Sequence, residues 1–70
     1  MTMQPVESSN VAEVGHDPIT NTLRVKFKSG GTYEYHGVSA QKHQALLSAD
    51  SIGAHLARHI KPHHETRKLG

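Results

Sequence analysis

Histidine is the residue type with the widest chemical range in this 70-residue chain, which contains seven histidines and no cysteine. His55 and His59 are four residues apart, so one helix face would carry both imidazoles, and His63 and His64 follow soon after. Neutral imidazoles at that spacing can share a zinc or nickel ion. Glu65 is the one carboxylate close by, and the HExxH pattern of metalloproteases is absent. We therefore expect no specific metal site and no cofactor.

Nucleophilic catalysis has little support in the sequence. The serines fall in predicted loops or helix caps, where a hydroxyl is expected to bond to the backbone. They are Ser8, Ser9, Ser29, Ser39, Ser48 and Ser51. Gly30-Gly31 lacks the spacing of a phosphate-binding loop, and a chain this short leaves little volume for a pocket. We predict that the protein is not an enzyme.

The basic side chains offer a better indication of function than these nucleophiles. The formal net charge is +2, and the cations are concentrated in a strand-like segment and at the C-terminal end. Clustered cations of this kind can contact nucleic-acid phosphates. The predicted nucleic-acid-binding residues are Arg58, Lys61, Arg67 and Lys68, with Arg24 and Lys28 as secondary candidates.

Three β-strands are predicted in the first half of the chain. Residues 23–28 alternate apolar and charged side chains, and residues 32–36 have the same period with strong β-formers. An earlier strand covers about residues 11–16 and ends at a turn rich in proline and Asx residues. A four-residue loop, 18–21, would pair Val14 with Val25 and His16 with Leu23.

The second hairpin turns at Gly30-Gly31. A three-residue loop with Gly31 in the left-handed conformation pairs Phe27 with Tyr33 and Val25 with Tyr35, which keeps charge off the apolar face. We expect both tyrosines to be core residues, with at least one hydroxyl bonded to a polar partner. On the outer face, Lys26 would then lie between Glu13 and Glu34. The predicted inner face comprises Ala12, Val14, His16, Leu23, Val25, Phe27, Tyr33 and Tyr35.

Two short helices are predicted after the strands. Ser39 is a suitable N-cap for a helix over residues 40–48, and Asp50 or Ser51 can cap a second one. The second helix carries one apolar line, which Pro62 should end: Ile52, Leu56 and Ile60. The fold class is therefore α+β, a three-stranded antiparallel β-meander followed by two short helices packed on one face.

This reading also divides the chain and suggests a location for the protein. Residues 1–10 form an extended or loosely ordered lead-in, residues 11–61 the α+β domain, and residues 62–70 a basic, flexible tail. No signal peptide and no apolar run long enough to cross a bilayer is visible. We expect a cytoplasmic monomer without membrane contact.

Several segments of the chain resemble the KTSC family. The most recognisable is Gly31-Thr32-Tyr33-Glu34-Tyr35 followed by Gly37-Val38, and the resemblance spans roughly residues 6–61. The other matching segments are Val6-Glu7-Ser8-Ser9 with Val11, Leu23-Arg24-Val25-Lys26-Phe27, Leu46-Leu47, Asp50-Ser51 and His59-Ile60. The family is named for its occurrence at the C-terminus of some lysyl-tRNA synthetases, and it also includes small stand-alone bacterial and phage proteins.

This resemblance implies a small accessory binding module whose ligand is RNA or another nucleic acid. The alternative is a protein–protein interaction module. In that case an exposed edge strand, residues 32–36 or 11–16, would extend the sheet of a larger protein.

Overall fold

The computed structural model describes all 70 residues as a five-stranded sheet with a helical segment on one face. The strands are β1 (Met3–Pro5), β2 (Val11–Asp17), β3 (Thr22–Phe27), β4 (Thr32–His36) and β5 (Thr66–Lys68). The helices are α1 (Ala40–Leu47) and α2 (Ile52–His55), and α2 continues as a π-helical turn (Leu56–Ile60) and a 3₁₀ turn (Lys61–His63). No helix has the length and apolar character that a bilayer span requires.

The sheet contains two more strands than the sequence predicts. Its order is β1-β2-β3-β4-β5, with all neighbours antiparallel, and the three predicted strands occupy its centre. The additional strands β1 and β5 are three residues long and form the two edges. Strands this short contain too few residues to show a period-2 pattern, so they leave little trace in the sequence.

The first hairpin has the predicted register. Val14 lies opposite Val25 and His16 opposite Leu23, on either side of a loop over residues 18–21. Asp17 initiates the turn, because its Oδ1 accepts a hydrogen bond from the backbone N–H two residues on, at 2.9 Å.

The second hairpin is displaced by two residues from the predicted register. Gly30, with φ +108°, takes the left-handed conformation in place of Gly31, so the three-residue loop begins one residue earlier. The resulting pairs are Lys26 with Thr32, Val25 with Tyr33 and Leu23 with Tyr35. The predicted pairs were wrong because a two-residue slip leaves every side chain on its original face, so the apolar pattern cannot detect it.

A β-bulge interrupts the pairing of β2 with β3. Val11 lies opposite Phe27, whereas Glu13 lies opposite Lys26, which leaves Ala12 as the extra residue. Val11 is completely buried and Ala12 is only partly buried. The prediction of Ala12 as the inner-face residue is therefore wrong, because the bulge turns Val11 into the core instead.

The core lies between the inner face of the sheet and the helical segment. Ser39 and Ser51 cap α1 and α2 by accepting hydrogen bonds from backbone N–H groups three residues on. The predicted apolar line of the second helix is buried, although its second half widens into a π turn. The ten core residues are Val11, Val14, Leu23, Val25, Tyr35, Val38, Leu46, Ile52, Leu56 and Ile60.

The edge strand β1 and the residues before it pack closely against Gly15 of β2. Met3 lies opposite Gly15, and a Cβ at Gly15 would come within 2.6 Å of Met3 Sδ and 3.0 Å of Thr2 O. A side chain at Gly15 would therefore displace the Met3 side chain and crowd the backbone of Thr2.

Candidate functional site

A cleft opens beside β4, on the same side of the sheet as the helices. Its volume is about 290 Å³, and its walls come from β3, β4, the turn between them, the 3₁₀ turn and β5. We call it the tyrosine cleft, defined by its lining residues Phe27, Ser29, Tyr33, Tyr35, Lys61 and Thr66.

The register of the second hairpin positions the aromatic wall of the cleft. Tyr33 and Tyr35 alternate with outward-facing residues on β4, so both rings lie on the helix side. Tyr35 is a core residue with 3 % of its surface exposed, whereas Tyr33 is half-buried and packs against the core. The ring of Phe27 meets that of Tyr33 edge to face, with 5.6 Å between centroids.

The polar groups of the cleft are not bonded to one another. No side-chain hydrogen bond in the structure involves the Tyr33 or Tyr35 hydroxyl, so the expectation of a polar partner for at least one of them was wrong. Burial raises the pKa of the Tyr35 phenol, and the neighbouring Tyr33 phenol raises it further. Lys61 is exposed at the cleft and forms no ion pair.

Lys68 stands on the same side of the sheet as Tyr33. The two residues are direct cross-strand partners, and side chains that are directly opposite each other project from the same face. Lys68 is exposed and carries a second positive charge toward the cleft side of β5.

Hydrogen bonds of His64 hold the segment that leads into β5 against α1 and the end of β4. Its Nδ1–H donates to the backbone oxygen of His36 at 2.9 Å, so the neutral ring can accept a hydrogen bond from Lys42 Nζ at Nε2, also at 2.9 Å. The N–H of His36 in turn donates to the backbone oxygen of Glu65. These bonds tie α1, the end of β4 and the start of β5 together, and so hold the Thr66 wall of the cleft in place.

The other predicted binding residues do not join Lys61 and Lys68 in one surface. Arg58 borders a separate depression together with Asp50, His55 and His59. Arg67 is the cross-strand partner of Glu34, so it lies on the outer face of the sheet. Lys28 is exposed in the turn before the cleft residue Ser29.

Arg24 forms the single ion pair in the structure. Its guanidinium donates to Glu34 Oε2 through both Nε and Nη2, the shorter distance being 2.7 Å. The prediction that Lys26 lies between Glu13 and Glu34 is therefore wrong on one side. Lys26 does face Glu13, but the displaced hairpin brings Arg24 opposite Glu34 instead.

The histidines form two ring pairs. His16 stacks on His43 with 5.0 Å between centroids, and its Nε2 donates to the backbone oxygen of Val38. Burial lowers the pKa of His43, and the neighbouring His16 lowers it further. His55 and His59 form the second pair at 4.7 Å. No group of three or more histidine or acidic side chains is arranged to hold a metal ion.

Comparison with known proteins decides the family. The model of the KTSC domain matches residues 7–64. The chain belongs to the KTSC family. A crystal structure of a KTSC domain protein from Yersinia pestis superposes with a TM-score of 0.93 at 39% identity, covering 99% of this chain and 97% of the other.

Two further relatives are similar in sequence over most of their length. An uncharacterised protein of Stutzerimonas stutzeri is 42% identical over 59 residues, 84% of this chain and 83% of the relative. A protein of Tsukamurella paurometabola is 40% identical over 60 residues, 86% of this chain and 90% of the relative. These relatives support the family assignment and carry no description of activity.

Sequence reasoning missed most of the cleft. It identified Lys61 as a phosphate contact and the tyrosines as core, but it had no reason to join them to Ser29 or Thr66. The signal that could have joined them is the polar-basic segment Thr66–Lys68, whose pairing with β4 places it beside the tyrosines.

Proposed function

We propose that this KTSC domain is a nucleic-acid-binding module that contacts the phosphate backbone through basic residues of its C-terminal part. Lys61 and Lys68 are the principal contacts, Arg58 and Arg67 are further contacts on separate parts of the surface, and Lys28 is secondary. Arg24 is the weakest of the six candidates because Glu34 already neutralises its guanidinium.

One observation carries this proposal: the cations of the C-terminal part are exposed and have no ion-pair partner. Lys61 stands at the tyrosine cleft, and Lys68 lies on the same side of the sheet. Free ammonium groups can replace the counterions of a phosphate backbone, which is the main source of sequence-independent affinity for nucleic acids.

The test is the salt dependence of binding to a fluorescently labelled single-stranded RNA, measured by fluorescence anisotropy. The slope of log affinity against log salt is about −0.7 per phosphate neutralised on a single strand. The double variant Lys61→Ala with Lys68→Ala should therefore reduce the slope by about 1.4 for two lost contacts. Lys26→Ala is the matched control, because it removes an exposed lysine from the outer face of the sheet.

The proposal requires that the double variant lose slope and that the Lys26 variant retain it. Absence of binding to single-stranded RNA, transfer RNA or duplex DNA at low salt would overturn the proposal, as would equal losses in both variants. A nuclease-resistant complex with a protein partner would instead favour a protein-interaction module.

The edge-strand form of that rival needs correction, because neither β4 nor β2 is an edge of the sheet. The real edges are β1, which contains Pro5, and β5, which carries Arg67 and Lys68. Proline and lysine on edge strands are features that oppose the addition of another strand. We therefore favour nucleic acid as the ligand.

A further inference from the structure

We propose that the tyrosine cleft is a subsite for one unstacked nucleobase and its adjacent phosphate. This inference rests on the proposed function, since it specifies how a single strand would engage the protein. The base would contact the Tyr33 side of the cleft, and the phosphate would lie against Lys61.

The size of the cleft limits what can enter. At about 290 Å³ it lies just below the range for small-molecule sites, roughly 300–1,000 Å³. It therefore suits one planar ring system with a short polar extension. A base in a duplex could not reach it, because it would first have to leave the stack.

The aromatic wall supplies the contact surface that a base requires. Tyr33 is half-buried, and its ring is supported by Phe27 on one side and by Gly31, where a Cβ would come within 3.1 Å of Tyr33 Cε1. A ring held in this way loses little further conformational freedom on binding. Contacts between bases and aromatic side chains tolerate any base, because every base has a π face.

The polar groups of the cleft match the edge of a base and a phosphate. Four residues with hydroxyl groups line it, Ser29, Tyr33, Tyr35 and Thr66. No side-chain hydrogen bond of the structure involves the two phenols. Lys61 adds a positive charge, and no acidic side chain lines the cleft. Hydroxyls can donate or accept, which fits the mixed donor and acceptor pattern of base edges.

The two tyrosines also give the cleft its own spectroscopic probe. The chain has two tyrosines and no tryptophan, and both tyrosines line the cleft. A base that packs against them should quench the intrinsic tyrosine fluorescence of the full-length chain. N-acetyltyrosinamide measured at the same nucleotide concentrations corrects for light absorbed by the bases.

The decisive experiment compares an oligouridylate with an abasic oligomer of the same length, in the parent protein and in Tyr33→Leu. Base–aromatic contacts contribute about 1–3 kcal/mol per base, so the parent should bind the abasic oligomer about 5- to 150-fold more weakly. Tyr33→Leu should bind both oligomers with the affinity that the parent shows for the abasic one. Circular dichroism establishes that this variant is folded, and Tyr33→Phe, which keeps a ring, should retain most of the difference.

The outcomes separate this inference from the proposed function. Equal binding of both oligomers without fluorescence quenching would overturn the base subsite and leave phosphate binding intact. Binding of neither oligomer would overturn both. Uridine monophosphate that quenches fluorescence where inorganic phosphate does not would support the subsite. An acidic peptide tests competition for the same site: if it displaced the oligouridylate and quenched the tyrosine fluorescence to the same extent, the assignment of a nucleobase as the ligand would be overturned.

Discussion

Tyr35→Phe tests whether the hydroxyl at the base of the cleft is free. Tyr35 has 3 % of its surface exposed, and no side-chain hydrogen bond of the structure involves its hydroxyl. An intramolecular hydrogen bond typically contributes about 0.5–1.5 kcal/mol, and here there is none to lose. We expect the free energy of unfolding to change by less than about 0.5 kcal/mol.

Tyr35→Ala gives the contrasting magnitude, because it removes the buried ring as well. Loss of a buried aromatic ring costs about 3–5 kcal/mol. At about 0.05–0.15 kcal/mol per residue, the whole domain has roughly 4–10 kcal/mol of stability. The alanine variant should therefore be largely unfolded or close to it, while the phenylalanine variant should resemble the parent.

Urea unfolding followed by circular dichroism measures both variants, and an ultraviolet pH titration of the phenols provides a second readout. Because burial raises the pKa of Tyr35, the parent should show a phenol that ionises at a later stage of the titration than a free tyrosine. Tyr35→Phe should lack that later transition, and Tyr33→Phe should retain it. A loss above about 1.5 kcal/mol in Tyr35→Phe would refute the reasoning, since it would mean that the hydroxyl has a partner within the fold.

Three further outcomes follow from the packing. Leu46→Ala should lower the free energy of unfolding by about 2–5 kcal/mol in urea titrations, because Leu46 is fully buried. Leu47→Ala should lower it clearly less, because Leu47 is half-buried. The pKa of His43 is lowered in the fold, so below the usual histidine value of 6.5 the unfolded chain binds more protons than the folded one. The free energy of unfolding should therefore decrease as the pH falls through this range. His43→Phe should reduce the difference in urea midpoint between about pH 7.5 and about pH 5.5. Gly30→Ala should cost about 1–2 kcal/mol from its φ of +108° alone, with Gly30→Asn costing less, as thermal unfolding would show.

The first hairpin shows what local sequence can specify. Its loop carries a distinct turn chemistry, with the Asp17 side chain bonded two residues on and Asn21 at φ +53°. Loop length and apolar alternation then agree on one register, so pairing could be predicted residue by residue from the loop as far as Glu13, where the bulge begins. The helix cap Ser39 was predictable for the same reason, since a cap depends on neighbours within three residues, and the second cap was narrowed to Asp50 or Ser51, of which Ser51 caps α2.

The second hairpin shows where the sequence becomes ambiguous. Gly30 and Gly31 are adjacent, and either one can supply the left-handed residue of a three-residue loop. The two choices differ by two residues in register, which preserves the faces of Tyr33 and Tyr35 but changes their partners. The cleft could not be predicted from the sequence, because one of its walls depends on this choice of glycine. Another wall depends on β5, which pairs with β4 across about 30 residues of intervening chain.

The position of β5 has a consequence for hydrogen exchange. None of the ten core residues follows Ile60, and all three residues of β5 are exposed. Detachment of this strand with its flanking residues would break the bonds from the Thr32 and His36 amides to the backbone oxygens of Gly70 and Glu65 and would remove no core residue from the fold. These amides should therefore exchange through local rather than global opening. Because Thr66 forms one wall of the cleft, a ligand that fills the cleft should slow the exchange of those same amides.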